Sequence, residues 1–248
     1  KFLGFSGRAA VVNMTAMATT APAAIHDILE GQVRFTKIAR ELGKAGKDTV
    51  AFMTGKDLHA AEEQRFMAEV KKKGWDDAQY TREMEGMIGK IHSRVWSGIM
   101  DSAMKMFSTT EQWNRLTTML ATFRLAKGTY EERAEKAFQS SLDAHGSYGR
   151  ATNPSMLWGS NHWAKFSQIF YVFLKFQHNY LQLLHRLGFE KRNWQAFAYA
   201  LISPIIIGGL TALPFKDQWM GLFGFIAAFF NLMDKDEDLE KKIWDYTR

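Results

Sequence analysis

The sequence predicts an all-α protein: an irregular multi-helix bundle with an αα-hairpin in its middle and an apolar, Pro/Gly-interrupted helical region towards its C-terminus. Three observations carry this expectation. Apolar residues recur at helical spacing, as in Trp113, Leu116, Leu120 and Phe123, a 3-4-3 stripe. Ser108-x-x-Glu111 and Thr129-x-x-Glu132 have the spacing at which a hydroxyl and a carboxylate cap a helix start reciprocally. No segment alternates apolar and polar residues as a half-buried strand does, and there is no internal repeat or low-complexity tract.

Taken in order, the Ala- and Thr-rich segment Ala9–Ile25 is interrupted by Pro22, and Ala23–Leu29 and Val33–Gly43 follow as helix candidates. Asp57–Lys73 is long, charged and weakly amphipathic, and Gly74 ends it. Asp76–Ile88 and Ser93–Phe107 come next. The pattern at Ser108 then opens the helix bearing the Trp113–Phe123 stripe, with Gly128 as its C-cap, because a residue without Cβ tolerates the left-handed conformation. Thr129 opens Tyr130–Ala144, and so tight a connection folds the two helices back on each other as an antiparallel hairpin.

The stretch Gly146–Ser155, GSYGRATNPS, is the clearest non-helical one, since its Gly, Asn and Pro residues all favour turns. We therefore expect an N-terminal helical region over 1–145, a linker over 146–161 and an aromatic-rich apolar region over 162–248. Within the last, Phe166, Phe170, Phe173, Phe176, Leu181 and Leu184 cover most of the surface of a helix over His162–Leu187. The tail Asp234–Arg248 returns to mixed charge, with Leu239, Ile243 and Trp244 on one helical face.

Between them lies Ala196–Phe215, which carries no formal charge but is interrupted by Pro204 and the pair Gly208–Gly209. Its length only just meets the roughly 20 apolar residues that a bilayer span needs. Trp194 and Trp219 flank it, with Lys191, Arg192 and Lys216 nearby, as interfacial anchors would. The alternative is a pair of buried bundle helices, with Trp219–Met233 as the second. The glycine pair then reads either as a break between packed helices or as a hinge that lets the apolar arms reorganise.

Composition narrows the chemistry. The chain has no Cys, which removes disulfides, thiolate metal sites and thiol catalysis. Its formal net charge of +6 favours anionic partners. The densest basic run, Lys71–Lys73, reads as a solvated helix end, and no basic stripe with interleaved aromatics stands out in the linear order. His59 and Glu63 share a helix face without forming HExxH, and Gly55–Lys56 lacks a phosphate cradle. His178 and His185, two turns apart beside Phe and Leu residues, read as packing. We expect no catalytic residue, metal or cofactor in this region. The chain starts at Lys1 without a signal-peptide pattern, and we expect it to be a piece of a longer polypeptide.

Glu111 and Arg115 are four apart in the acid-first order that favours an ion pair. On a surface such a pair contributes a few tenths of a kcal/mol. Alternatively it forms a polar clasp, with Arg115 or Asn114 satisfying buried carbonyls of the loop that holds Tyr148, Arg150, Asn153 and Pro154.

Several phrases also occur together in order: LGFSGRAAVVNMTAMATTAP near the N-terminus, Glu111–Arg115 leading into LTTMLATFRLAKG, then Tyr148–Gly149–Arg150 through Asn153–Pro154, then the helix with Phe166, Phe176 and Gln177. This series resembles the C-terminal helical region of phage large polyvalent proteins, including those called PLxRFG proteins, although no literal PLxRFG string occurs here. The resemblance favours the clasp. It also implies a structural region of an internal virion protein of a short-tailed phage, ejected with the genome. Such a region packs beside the portal or other internal virion proteins as a homo-oligomer. It then helps build a conduit across the host envelope, with transient contact with phage DNA and the envelope membrane. Its location is the virion interior and, after ejection, the host cell envelope. The alternatives are an accessory C-terminal region of a virion-packaged RNA polymerase or peptidoglycan hydrolase, and a stand-alone membrane protein.

Overall fold

A computed structural model describes residues 14–77, 94–146 and 178–208. A short 3-10 turn at Thr15–Met17 leads into α1 (Thr20–Ile28), α2 (Phe35–Met53), α3 (Ala61–Lys73), α4 (Arg94–Leu125) and α5 (Tyr130–His145). Helical residues 178–185 run into a π-helical turn, Arg186–Glu190, and α6 spans Trp194–Gly208. Among the described residues there is no strand, and the protein is an all-α, irregular multi-helix bundle. The chain divides into two compact units, Lys1–Phe197 and Ala198–Arg248. The first holds the core described here, and of the second only 198–208 are described.

The helices start and stop for identifiable reasons, and several bounds differ from those the sequence predicts. Pro22 does not interrupt α1. It sits in the first turn, where backbone amides have no intrahelical acceptor and a missing donor is tolerated. Helix α2 runs ten residues past the expected Gly43, through Gly46. Gly46 is where Trp113 arrives: the indole Nε1 donates to the Gly46 carbonyl at 3.1 Å, and a Cβ at position 46 would stand 3.0 Å from the ring. Gly74, left-handed at φ +66°, closes α3 as expected.

Ser108 is not a helix start. Between Ile99 and Lys127 there is no Pro or Gly, so the segments expected on either side of Ser108 join into α4. Hydroxyls here bond backwards within the helix, as Thr109 Oγ1 does to the Lys105 carbonyl at 2.8 Å. The second capping pattern does cap. Glu132 N donates to Thr129 Oγ1 at 3.3 Å, and Thr129 N donates to Glu132 Oε2 at 2.8 Å. Gly128 is not the C-cap of α4, which ends at Leu125. Its φ is +121°, and a Cβ there would collide with the Glu132 carboxylate, so this glycine makes room for the cap of α5.

Antiparallel pairing of α4 and α5 follows from the contacts along them: Thr118 meets His145, Thr122 meets Ser140 and Phe123 meets Arg133. Helix α4 also packs on α2 and α3, and α1 packs on α5. The core they enclose includes Ile25, Ile38, Phe66, Met119 and Leu120. Phe66 stacks on Phe123 at 4.2 Å between centroids, and Tyr130 meets Phe123 edge-on. Helix α6 continues through Pro204 to Gly208, the last described residue before Gly209. Among the described residues no helix is long and apolar enough to cross a membrane.

Replacing Thr129 by Ala removes the acceptor for Glu132 N and should lower unfolding stability in urea by about 0.5–2 kcal/mol. An unchanged midpoint would mean that the cap does not anchor the hairpin.

Candidate functional site

Over Leu116–Phe123, α4 is buried on every side, polar positions included: Thr117, Thr118 and Thr122 have no exposure. Glu111, Asn114 and Arg115 continue this buried surface one turn earlier. Groups so placed need partners inside the protein, because burying a polar group without one costs free energy.

Arg115 is fully buried. Its Nε and Nη2 each stand 3.3 Å from Glu111 Oε1, and Nη2 also donates to the Gly146 carbonyl at 2.9 Å. Gly146 follows the last residue of α5 and donates its own amide to the Leu142 carbonyl at 2.7 Å. The guanidinium therefore meets the negative end of a helix, where a cation is favoured. A Cβ on Gly146 would collide with the Asn179 side chain, so the helical residues after 177 lie against this same corner. Beside it, His145 is held between burial and Arg115: burial first, and the nearby guanidinium second, push its pKa down to about 3. Its Nε2 lies 2.9 Å from Thr118 Oγ1. The imidazole is thus a neutral hydrogen-bonding wedge between α4 and α5.

Two further polar nodes lie among the described residues of the first unit. Arg124, at the other end of the buried stretch, donates to Glu63 (2.9 and 2.5 Å), Asp48 (2.7 Å) and Glu41 (3.3 Å). Burial works against its charge, but the bonds to Glu63 and Asp48 more than offset this and its pKa is raised. The third node joins Arg186 to Asp143, and Asn193 Nδ2 to Asp27 Oδ1 at 3.1 Å. Asn193 Oδ1 also accepts the Ala196 amide at 3.2 Å, capping α6. Asp143 is pushed up by burial against the pull of Arg186, and His26, stacked on Phe35, is pushed down by burial.

Of the residues singled out from the sequence, Glu111, Asn114 and Arg115 come together at this corner. Tyr148, Arg150, Asn153, Pro154, Gly209 and Trp219 lie outside the described residues. Trp194 opens α6, 60% exposed and edge-on to Phe197, and Pro204 lies within that helix. Glu63 serves Arg124, and no group of His, Asp and Glu among the described residues could hold a metal ion.

One charged surface went unnoticed in the linear sequence. Lys37, Arg40, Lys44 and Lys47 of α2 are all exposed, and their 3-4-3 spacing puts them on one face. Acidic and apolar residues interleave with them in sequence, so a search for runs passes over them. Helical spacing was the available signal. The chain matches no protein-family model, no curated protein and no solved structure.

Two outcomes are expected. Arg115→Met leaves Glu111 buried without its cation and should lower stability by about 3–5 kcal/mol. Adding Glu111→Gln should recover part of that loss, as a double-mutant cycle in urea would read. A loss below about 0.5 kcal/mol would place the pair with ordinary surface pairs.

His145 gives the second. Its folded pKa, about 3, lies below the ordinary histidine value of 6.5, so the unfolded chain binds the extra proton. Its contribution is fully present above pH 6.5 and declines as pH falls towards 3, with a slope of up to about 1.4 kcal/mol per pH unit. His26 acts in the same sense. Between about pH 6.5 and 5, above the ordinary carboxylate range, His145→Gln should flatten the fall in stability. An unaltered slope would show that His145 is not held neutral.

Proposed function

We propose that this chain is a structural region of a phage internal virion protein, ejected with the genome, that helps form a portal-proximal assembly and then a conduit for DNA across the host envelope. It has no active site of its own in this reading, and it works as a homo-oligomer beside the portal or other internal virion proteins. The observation that supports it is the partly buried bond from the fully buried Arg115 to the Gly146 carbonyl. Arg115 ends one phrase of the resemblance, Glu111–Arg115, and Gly146 opens the stretch that carries another, Tyr148–Pro154. The bond joins the helix that carries Glu111–Arg115 to a backbone carbonyl two residues before Tyr148, and Tyr148–Pro154 itself lies outside the described residues.

The physical design suits a protein that must pass through a narrow tail. Charged nodes at Arg115, Arg124 and Arg186 link helical segments of the first unit around its apolar core. Such nodes fix one arrangement while assembled, and each comes apart as a unit once a partner is withdrawn. A second reading, a stand-alone membrane protein, draws on α6, where Ile202, Ile206 and Ile207 are exposed. It requires detergent at every stage, whereas a packaged protein is held by its neighbours first.

The test is to image this chain in intact particles and in particles triggered to eject onto lipid vesicles. Under the proposal, ordered density near the portal leaves the capsid and reappears at the vesicle membrane. Absence from virions, or retention after the genome has left, would rule the proposal out.

A further inference from the structure

We infer that the outer face of α2 is a docking surface for the phosphate backbone of duplex nucleic acid, with Lys37, Arg40, Lys44 and Lys47 as the contacting groups. These four fall within about 80° of the helix circumference at 3.6 residues per turn. That sector lies opposite the buried face made by Ile38, Leu42, Ala45, Gly46 and Thr49. The charges therefore point straight out from the bundle. All four are exposed, and among the described residues none of them has an ion-pair partner. Two carboxylates border the sector at positions that could have neutralised it, Glu41 four residues after Lys37 and Asp48 four after Lys44. Both are instead bound to Arg124.

Gly43 is a second, separate observation. It sits inside α2, where a glycine costs about 1 kcal/mol relative to Ala. Unlike Gly46, it has no packing reason in the bundle: a Cβ there would meet nothing within 4 Å. It leaves a bare patch of backbone between Arg40 and Lys47, where a bulky ligand can approach closely.

The chemistry of the face selects the occupant. A helix that lies on a lipid surface needs an apolar face turned to the lipid, and the apolar face of α2 is spent in the core. Single strands are held by aromatic platforms, and none of the four contact positions is aromatic. What remains is a straight row of cations about 15 Å long from Lys37 to Lys47, facing a polymer that carries a charge about every 1.7 Å along its axis. Recognition is through phosphates and is independent of base sequence. This inference assigns residues to the genome contact in the reading above, and rests on that reading only for which duplex the face meets.

Binding of the full chain to a mixed-sequence duplex DNA, followed by fluorescence anisotropy between about 50 and 200 mM salt, tests it. Four phosphate contacts predict a fall in affinity of about a hundredfold over that range. Each of Lys37→Gln, Arg40→Gln, Lys44→Gln and Lys47→Gln should reduce the salt slope by about one, and the fourfold variant should bind at least tenfold more weakly with an unchanged thermal midpoint. Lys71→Gln/Lys72→Gln, which removes two exposed cations elsewhere, should leave the slope as it was. The inference falls if the wild type does not bind duplex at the lowest salt, or if the fourfold variant keeps the wild-type slope. It also falls if the Lys71/Lys72 variant loses as much, or if the chain binds phosphatidylserine vesicles and not duplex. Virion imaging does not enter this result, so either proposal can fail alone.

Discussion

Between Leu116 and Phe123, α4 is buried all the way round, and this burial constrains everything packed against it. A helix with threonines there, the fully buried Arg115 just before them and the partly buried Arg124 just after cannot rely on water alone. Neighbours bring matching groups to particular turns, although the Thr117 hydroxyl has no hydrogen-bond partner among the described residues. Thr118 takes His145, Thr122 takes Ser140, and the two guanidiniums at either end are met by carboxylates or by the end of a helix. An apolar stripe alone would let α5 slide by a turn along α4, because hydrophobic contact is non-directional. The polar partners remove that freedom: a shift of one turn would leave His145 without Thr118 and Arg115 without the Gly146 carbonyl.

The two ends of the buried stretch solve the same problem differently. At Arg115 there is one close carboxylate, from the same helix, and the other bond goes to a backbone carbonyl. At Arg124 three carboxylates arrive from α2 and α3, so one side chain ties three helices together. Arg133 and Tyr130 extend that end, by bonds to Glu62 and Glu69 of α3. Since Arg133 also holds the Phe123 carbonyl and lies 4.0 Å from the centre of the Phe123 ring, the hairpin and α3 share one mixed aromatic and ionic seam.

How much of this could be read beforehand depends on whether the information was local. The capping box at Thr129 is a four-residue device beside a glycine, and the sequence pattern and the observed bonds agree. Ser108 has the same pattern and opens nothing, because a cap also needs the chain before it to leave the helix, and no residue there makes it do so. Glu111 and Arg115 were recognisable as a pair from their spacing. Their burial was not, since it depends on the return of α5 and on what lies beside Asn179. Arg124 was unreadable for the same reason: its partners come from two other helices. In α6, Pro204 suggested a break in the sequence, yet the helix passes through it, as a proline lacks a single donor and tertiary context decides whether that loss ends the helix.

The Arg124 node also reaches beyond the core, because it determines the sign of the outer face of α2. Taken as an isolated helix, α2 would pair Lys37 with Glu41 and Lys44 with Asp48 on its own surface, and half of its cationic charge would be compensated there. Arg124 draws both carboxylates towards the bundle, to 3.3 and 2.7 Å from its guanidinium. A bond to a partly buried cation competes well against one to a mobile, hydrated lysine, since the pair nearer the interior is less screened by solvent and salt. The lysines are then left facing water with their nearest acids already engaged. One internal arginine thus accounts for two features that look unrelated in the sequence: the docking of α2 and α3 on α4, and a row of uncompensated cations on the far side of α2. Removing that guanidinium should therefore weaken the bundle and dull the outer charge together, a coupling that a merely decorative basic surface would not have.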